Sequence, residues 1–269
     1  MIRQAEIQKL ADKDGVRVAQ TEKDYILSWI LTGISHVEKL RAALGFKGGT
    51  ALKKFYFDNY RFSEDLDFTL VDDTLDNSTI QELFDAAFRY VKGEANIDLE
   101  ICEFDEHETG TINFFIQYSG PLGGSGANKK VKVDISKNEL LVFALEKKQM
   151  IKRYSDHIET TVKCYSLEEI ITEKMRSLLS RQQPRDYYDL WYLTEEYGLE
   201  MCDYATEFSE KTRFKGLDPR DIEKRVEKLL PVFKSRWEGS LAAQISHLPK
   251  YEKVSREMGR HLRKLYQEL

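Results

Sequence analysis

The chain has 269 residues and a net charge of −5, with 41 lysines and arginines against 46 aspartates and glutamates. That length can bury a core for one large domain or two, and the acidic balance excludes nucleic-acid binding by bulk charge, leaving a local basic patch as the electrostatic route. No run approaches the roughly 18 apolar residues of a membrane span, the start Met1-Ile2-Arg3-Gln4-Ala5-Glu6 lacks a signal peptide's apolar core, and Cys102, Cys164 and Cys202 lie too far apart for a disulfide framework or zinc site, which fits a reducing cytoplasm.

Residues 1–12 read as a short helix. Thr21 reads as the N-cap of a longer one, with Glu22 and Asp24 as a solvated first turn. Its stripe of Tyr25, Ile26, Trp29, Ile30, Ile34, Val37 and Leu40 predicts a core helix to about residue 42. Leu44 to Phe46 is a short strand that ends at Gly48-Gly49-Thr50. Thr50 reads as the cap of a helix through Ala51, Leu52, Phe55 and Tyr56. The glycines let backbone N–H groups approach a phosphate, and the helix start adds its positive end. Lys53 and Lys54 either reach that phosphate or point into solvent.

From Phe62 to Leu70 the pattern alternates strictly. Phe62, Glu64, Leu66, Phe68 and Leu70 share one face of a strand, and Ser63, Asp65, Asp67 and Thr69 the other. Asp65 and Asp67 therefore point the same way, with Cα atoms roughly 6.5–7 Å apart. Carboxylates that close repel unless a cation or proton sits between them. A phosphate cradle beside such a pair is suited to metal-assisted phosphoryl or nucleotidyl transfer.

The Gly-Gly-Thr turn followed by Ser-x-Asp-x-Asp resembles the nucleotidyltransferase superfamily of DNA polymerase β. The fuller wording, Phe46-Lys47-Gly48-Gly49-Thr50-Ala51-Leu52 then Arg61-Phe62-Ser63-Glu64-Asp65-Leu66-Asp67, resembles one branch, the AbiEii/AbiGii-type toxins, relatives of the MenT toxins of mycobacteria. Fifteen residues separate Gly49 from Asp65, a longer gap than the superfamily's usual one and a mark of that branch. Glu22-Lys23-Asp24-Tyr25 matches a further phrase of the branch, to which no chemistry is assigned.

Further along, residues 72–78 read as a loop, and Ile80, Leu83, Phe84, Ala87, Phe88 and Val91 as a helix packed on the sheet. Ile97 to Phe104 and Thr111 to Tyr118 read as strands, joined at a tip around His107. A histidine among acids can bind metal, but with no second histidine nearby a turn is the favoured reading. Residues 119–128, with Gly120, Gly123, Gly124 and Gly126, read as a flexible loop that matches neither a Walker motif nor a dinucleotide fingerprint. In the next strand Val131, Val133 and Ile135 oppose Lys132 and Asp134. The resemblance places the third carboxylate of the metal site at Asp134; the alternative is an ion pair with Lys132.

From Ser166 the pattern is helical. Ser166-Leu167-Glu168-Glu169 is a capping box, and Lys174 falls inside the buried stripe of Leu167, Ile170, Ile171, Met175, Leu178 and Leu179. A buried lysine needs an anionic partner. The next helix begins near Pro184 and puts Asp186 and Asp189 on its apolar face. The simplest account sets Lys174 and Arg181 against these two aspartates across a helix pair. The resemblance goes further: it implies that Lys174 contacts nucleotide phosphate and that Asp186 orients Lys174 or the acceptor. Residues 203–269 read as wholly helical. Lys250, Lys253, Arg256, Arg260, Arg263 and Lys264, with Lys211, Arg213 and Lys215, are solvated faces or phosphate contacts for RNA.

The expectation is an α/β (α+β) fold: a polymerase-β-like mixed sheet with flanking helices over residues 1–160, then a helical half, 161–269, closing the cleft. The resemblance implies a cytoplasmic enzyme that moves a nucleoside monophosphate from a nucleoside triphosphate to an acceptor hydroxyl. It binds two Mg²⁺ ions through Asp65, Asp67 and Asp134, and the triphosphate through Gly48, Gly49, Thr50, Ser63 and Lys174. A tRNA end is the implied acceptor and a cognate antitoxin the implied partner. A small-molecule, antibiotic-type transferase and a catalytically silent nucleotide-binding protein stand as alternatives. Asp65→Ala or Lys174→Ala is expected to abolish transfer and leave the fold intact.

Overall fold

Strict alternation in the first half builds one sheet. In a computed structural model that describes residues 1–106, 111–124 and 129–269, the strands are β1 (Leu44–Lys47), β2 (Asp65–Leu70), β3 (Asp98–Glu106), β4 (Ile112–Ser119), β5 (Lys130–Ser136), β6 (Glu146–Gln149) and β7 (Thr161–Cys164). They lie in the order β3-β4-β5-β2-β1-β7-β6. β2 runs parallel to β5 and β1 parallel to β7, and every other neighbouring pair is antiparallel, so the sheet is mixed. The tip at His107 and the loop at Gly126 fall outside the described residues. β6 and β7 had no strong signal, because four-residue strands with lysines in them show little alternation.

Helices α1 (Gln4–Asp14), α2 (Val18–His36), α3 (Glu38–Ala43), α4 (Gly48–Ala51) and α5 (Asn77–Ala95) complete the first unit, Met1–Glu139 with Leu145–Tyr165. Phe46, Leu66, Phe68, Phe114, Val133 and Ile135 are buried on one sheet face with residues of α2 and α5. Phe84 of α5 meets Phe114 edge-on at 5.1 Å, and Phe46 lies 5.0 Å from Phe68. Each such ring contributes about 2–3 kcal/mol through burial, which pins the register of every strand that supplies one.

Some boundaries differ from expectation. α2 starts at Val18 behind Arg17, not at a Thr21 cap, and ends at His36, where an extended Val37 separates it from α3. α5 begins at Asn77, capped by Asp76, whose carboxylate accepts from Thr79 N at 2.7 Å. α4 passes into a wider π turn over Leu52–Tyr56.

The second unit comprises Leu140–Ala144 and Ser166–Leu269. Its helices are α6 (Leu167–Ser180), α7 (Pro184–Trp191), α8 (Ala205–Phe214), α9 (Ile222–Leu241) and α10 (Tyr251–Gln267). Ser166 caps α6 by accepting from Glu169 N at 3.2 Å. The Glu169 side chain does not close a reciprocal box. It is fully buried, accepts from Val142 N and Phe143 N, and pairs with Lys211.

Candidate active site

The polar face of the sheet carries the acids. Leu66 and Phe68 are anchored in the core, so period two turns Asp65 and Asp67 to the other side, where both are half-buried. On β5, Val133 and Ile135 are anchored likewise, and Lys132 and Asp134 share the face of the two aspartates. Register sets Asp65 opposite Lys132 and Asp67 opposite Asp134, at the roughly 4.8 Å spacing of neighbouring strands. The three acids are therefore adjacent on one face. Asp134 also makes the ion pair weighed against a metal role: its Oδ2 accepts from Lys132 Nζ at 2.7 Å. Among the described residues, no three His, Cys, Asp or Glu side chains are gathered closely enough to hold an ion as they stand. The donors are all carboxylate oxygens, the set that hard divalent cations take.

The glycine turn abuts these acids. Lys47 of β1 pairs with Asp67, and Gly48 follows at φ 83°, a left-handed conformation. A Cβ at Gly48 would lie 2.5 Å from Asp67 Oδ2, and one at Gly49 2.5 Å from Arg61 Nη2. At Gly48 the positive φ and the close carboxylate together require glycine, whereas a Cβ at Gly49 would push against the end of the Arg61 side chain. Thr50 does not cap α4. It is buried, and its hydroxyl donates to Asp65 O at 2.6 Å, tying the turn to the start of β2. Ser63 is also buried, in the extended segment that precedes β2.

Neither reading of Lys53 and Lys54 holds. Lys53 is buried, donates to Asp58 O and lies 4.5 Å above the Phe62 ring. Lys54 is buried against Asp24 at 2.7 Å and donates to Ser28 Oγ. Glu22 and Asp24 are not a solvated turn either; each is 1 % exposed. Glu22 accepts from Leu122 N and pairs with Lys129. Asp24 also receives Tyr154 Oη at 2.6 Å, and Arg153 lies 3.5 Å away. Burial alone would raise the Asp24 pKa, but Lys54, Lys53 and Arg153 outweigh it and hold the group at about 2. Burial lowers Lys54 to about 8. One signal was available: the run from Tyr25 to Leu31 is apolar around most of the helix, so α2 has little solvent face for its acids.

In the second unit, Lys174 lies between two buried aspartates, 2.7 Å from Asp186 Oδ1 and 2.7 Å from Asp189 Oδ2. Arg181 grips Asp186 through two bonds of 2.7 and 2.9 Å from its exposed side. Burial would raise the Asp186 pKa, but Lys174 and Arg181 prevail and hold it below the ordinary carboxylate range. The buried Lys174 of α6, with the half-exposed Arg181 just after that helix, thus answers the two buried acids of α7. Lys174→Ala would leave two carboxylates buried, so the expectation of an intact fold does not stand for that variant. Lys211 is withdrawn from the list of RNA contacts: it is fully buried, pairs with Glu169 and donates to Leu140 O at 2.7 Å. In α10, Arg260 and Lys264 are neutralised in part by Glu195 and Glu200.

Comparisons with known proteins identify the family of the chain and its fold. A family model described as "Nucleotidyl transferase AbiEii toxin, Type IV TA system" matches residues 29–263. MenT4, a nucleotidyltransferase toxin from Mycobacterium tuberculosis H37Rv, is 16% identical with a TM-score of 0.64, over 100% of this chain and 91% of that one. JHP933 from Helicobacter pylori is 18% identical with a TM-score of 0.60, over 91% of this chain and 90% of that one. At such identities the likeness is one of fold. No curated protein matches the sequence. Because the family model spans most of its length, the chain belongs to the AbiEii family of nucleotidyltransferase toxins.

Proposed function

We propose that the enzyme transfers a nucleoside monophosphate from a nucleoside triphosphate to a hydroxyl of RNA, with a tRNA end as the acceptor, and that a cognate antitoxin restrains it. The observation that carries the chemistry is the placement of Asp65, Asp67 and Asp134 on one sheet face beside the Gly48 turn. Gly48, Gly49, Thr50 and Ser63 bind the triphosphate. Magnesium, as two ions held by Asp65, Asp67 and Asp134, supplies positive charge at the α-phosphate and lowers the pKa of the attacking hydroxyl. The acceptor oxygen forms a bond to the α-phosphorus, the bond from that phosphorus to the bridging oxygen breaks, and pyrophosphate leaves. The hydroxyl proton passes to Asp134, which Lys132 orients.

The test incubates the protein with Mg²⁺, each labelled triphosphate and total RNA. Label in RNA supports the proposal. Label only in small molecules supports an antibiotic-type transferase, and no label under any condition a silent binding protein. Asp67→Asn is expected to lower transfer roughly a thousandfold or more, the loss of several kcal/mol of transition-state stabilisation. Full activity in that variant would remove Asp67 from the site.

A further inference from the structure

β1 has four residues, of which the first three are buried; Gly45 and Lys47 share the acid face, and Lys47 is the one with a side chain to put there. Its backbone pairs with Asp67, yet its side chain crosses β2. Lys47 Nζ donates to Ser136 Oγ on β5 at 3.2 Å, and its nearest carboxylate, Glu139 Oε1, is 3.8 Å away. Ser136 is two residues beyond Asp134 and on the same face. The Lys47 side chain is only 12% exposed and lies 5.7 Å from the centre of the Tyr165 ring.

A lysine ammonium has three donors. Among the described residues, one serine hydroxyl and one distant carboxylate engage it, although ordering the chain costs about 1.5–2 kcal/mol of rotamer entropy. It is the residue immediately before Gly48, and its ammonium lies on the acid face at Ser136, two residues beyond Asp134. A triphosphate brings several negative charges to a face that already holds three acids, and divalent ions offset only part of them. We propose that Lys47 binds the β- and γ-phosphates and so stabilises the departing pyrophosphate. This rests on the reading of the site given above. It adds a cation that the motif-based assignment omitted, because a lysine ahead of a glycine turn reads as an ordinary strand end.

The test measures binding of inorganic pyrophosphate in Mg²⁺ by calorimetry, and the KM for the triphosphate, in wild type, Lys47→Gln and Lys47→Arg. Lys47→Gln is expected to weaken pyrophosphate binding about ten- to hundredfold, the worth of a charge-assisted hydrogen bond, and to raise KM in proportion. Lys47→Arg should recover part of both. A Lys47→Gln, Glu139→Gln double variant separates this role from simple pairing with Glu139: binding should stay weak. Wild-type affinity in Lys47→Gln, or recovery in the double variant, overturns the proposal. If wild type transfers label and either of those results is found, Lys47 alone has been misassigned. If wild type neither binds pyrophosphate nor transfers label, the reading of the whole site falls.

Discussion

At Gly48 the backbone conformation and the chemistry depend on the absence of one carbon. The residue sits at φ 83°, and a Cβ there would come within 2.5 Å of Asp67 Oδ2. Gly48→Ala therefore combines backbone strain with displacement of a carboxylate. It is expected to cost on the order of 1–3 kcal/mol of stability and to reduce transfer by more than that loss explains. Unfolding midpoints and transfer rates measured on the same preparation check this; unchanged transfer would show that Asp67 is not held by the turn. The turn and the Asp-x-Asp face were legible because period-two alternation and positive-φ glycines leave local signatures. The Thr50 hydroxyl was not legible, because its acceptor, Asp65 O, is fifteen residues away in sequence.

Between elements, the balance of buried charge dominates. Lys174 is shared by two aspartates of α7, and its removal takes away the buried cation that both carboxylates hold in common. Lys174→Met is expected to destabilise the protein by about 3–5 kcal/mol, read from chemical denaturation. A much smaller loss would mean that Asp186 and Asp189 rearrange around Arg181. In the first unit, α2 is tied by the Asp24–Lys54 pair. The folded-state pKa of Asp24, about 2, lies below its ordinary 3.8. The corresponding stability is present above about pH 4 and lost as pH falls through about 2, an amount of about 2 kcal/mol. Asp186 adds loss of the same sign. The pH dependence of the unfolding midpoint should be shallower across that window in Asp24→Asn than in wild type; identical slopes would assign the acid loss to other groups. The helix pair could be foreseen because four charges in apolar stripes demand each other. The pairing of Asp24 with Lys54 could not, since the apolar run of α2 leaves Asp24 little solvent face but does not say which cation, thirty residues on, reaches it.

For the molecule as a whole, the net charge of −5 opposes a polyanionic acceptor. Any RNA must be held by local cations, and contacts of that kind release counterions. KM for an RNA acceptor is therefore expected to rise steeply with salt, about tenfold or more between 50 and 200 mM if several phosphates are engaged. A flat salt response would favour a small acceptor. Among the described residues no helix is long and apolar enough to cross a membrane, and the family match covers residues of both units.

The alternation of Phe62 to Leu70 and of Val131 to Ile135 determined which side chains enter the core, and with that the face on which Asp65, Asp67 and Asp134 stand. The sequence alone also determined the glycine turn, the capped start of α6 and the helical character of the second half, since each depends on neighbours within a few residues. Only the tertiary structure decided that β2 and β5 lie side by side in the register that sets Asp67 against Asp134. It also decided that Lys132 reaches Asp134, that Lys47 crosses a strand to Ser136, and that Glu22, Asp24, Lys53, Lys54 and Lys211 are buried. The physical reason is common to all of these: the partner of a charged group is chosen by strand order and helix packing, and neither is written in local periodicity.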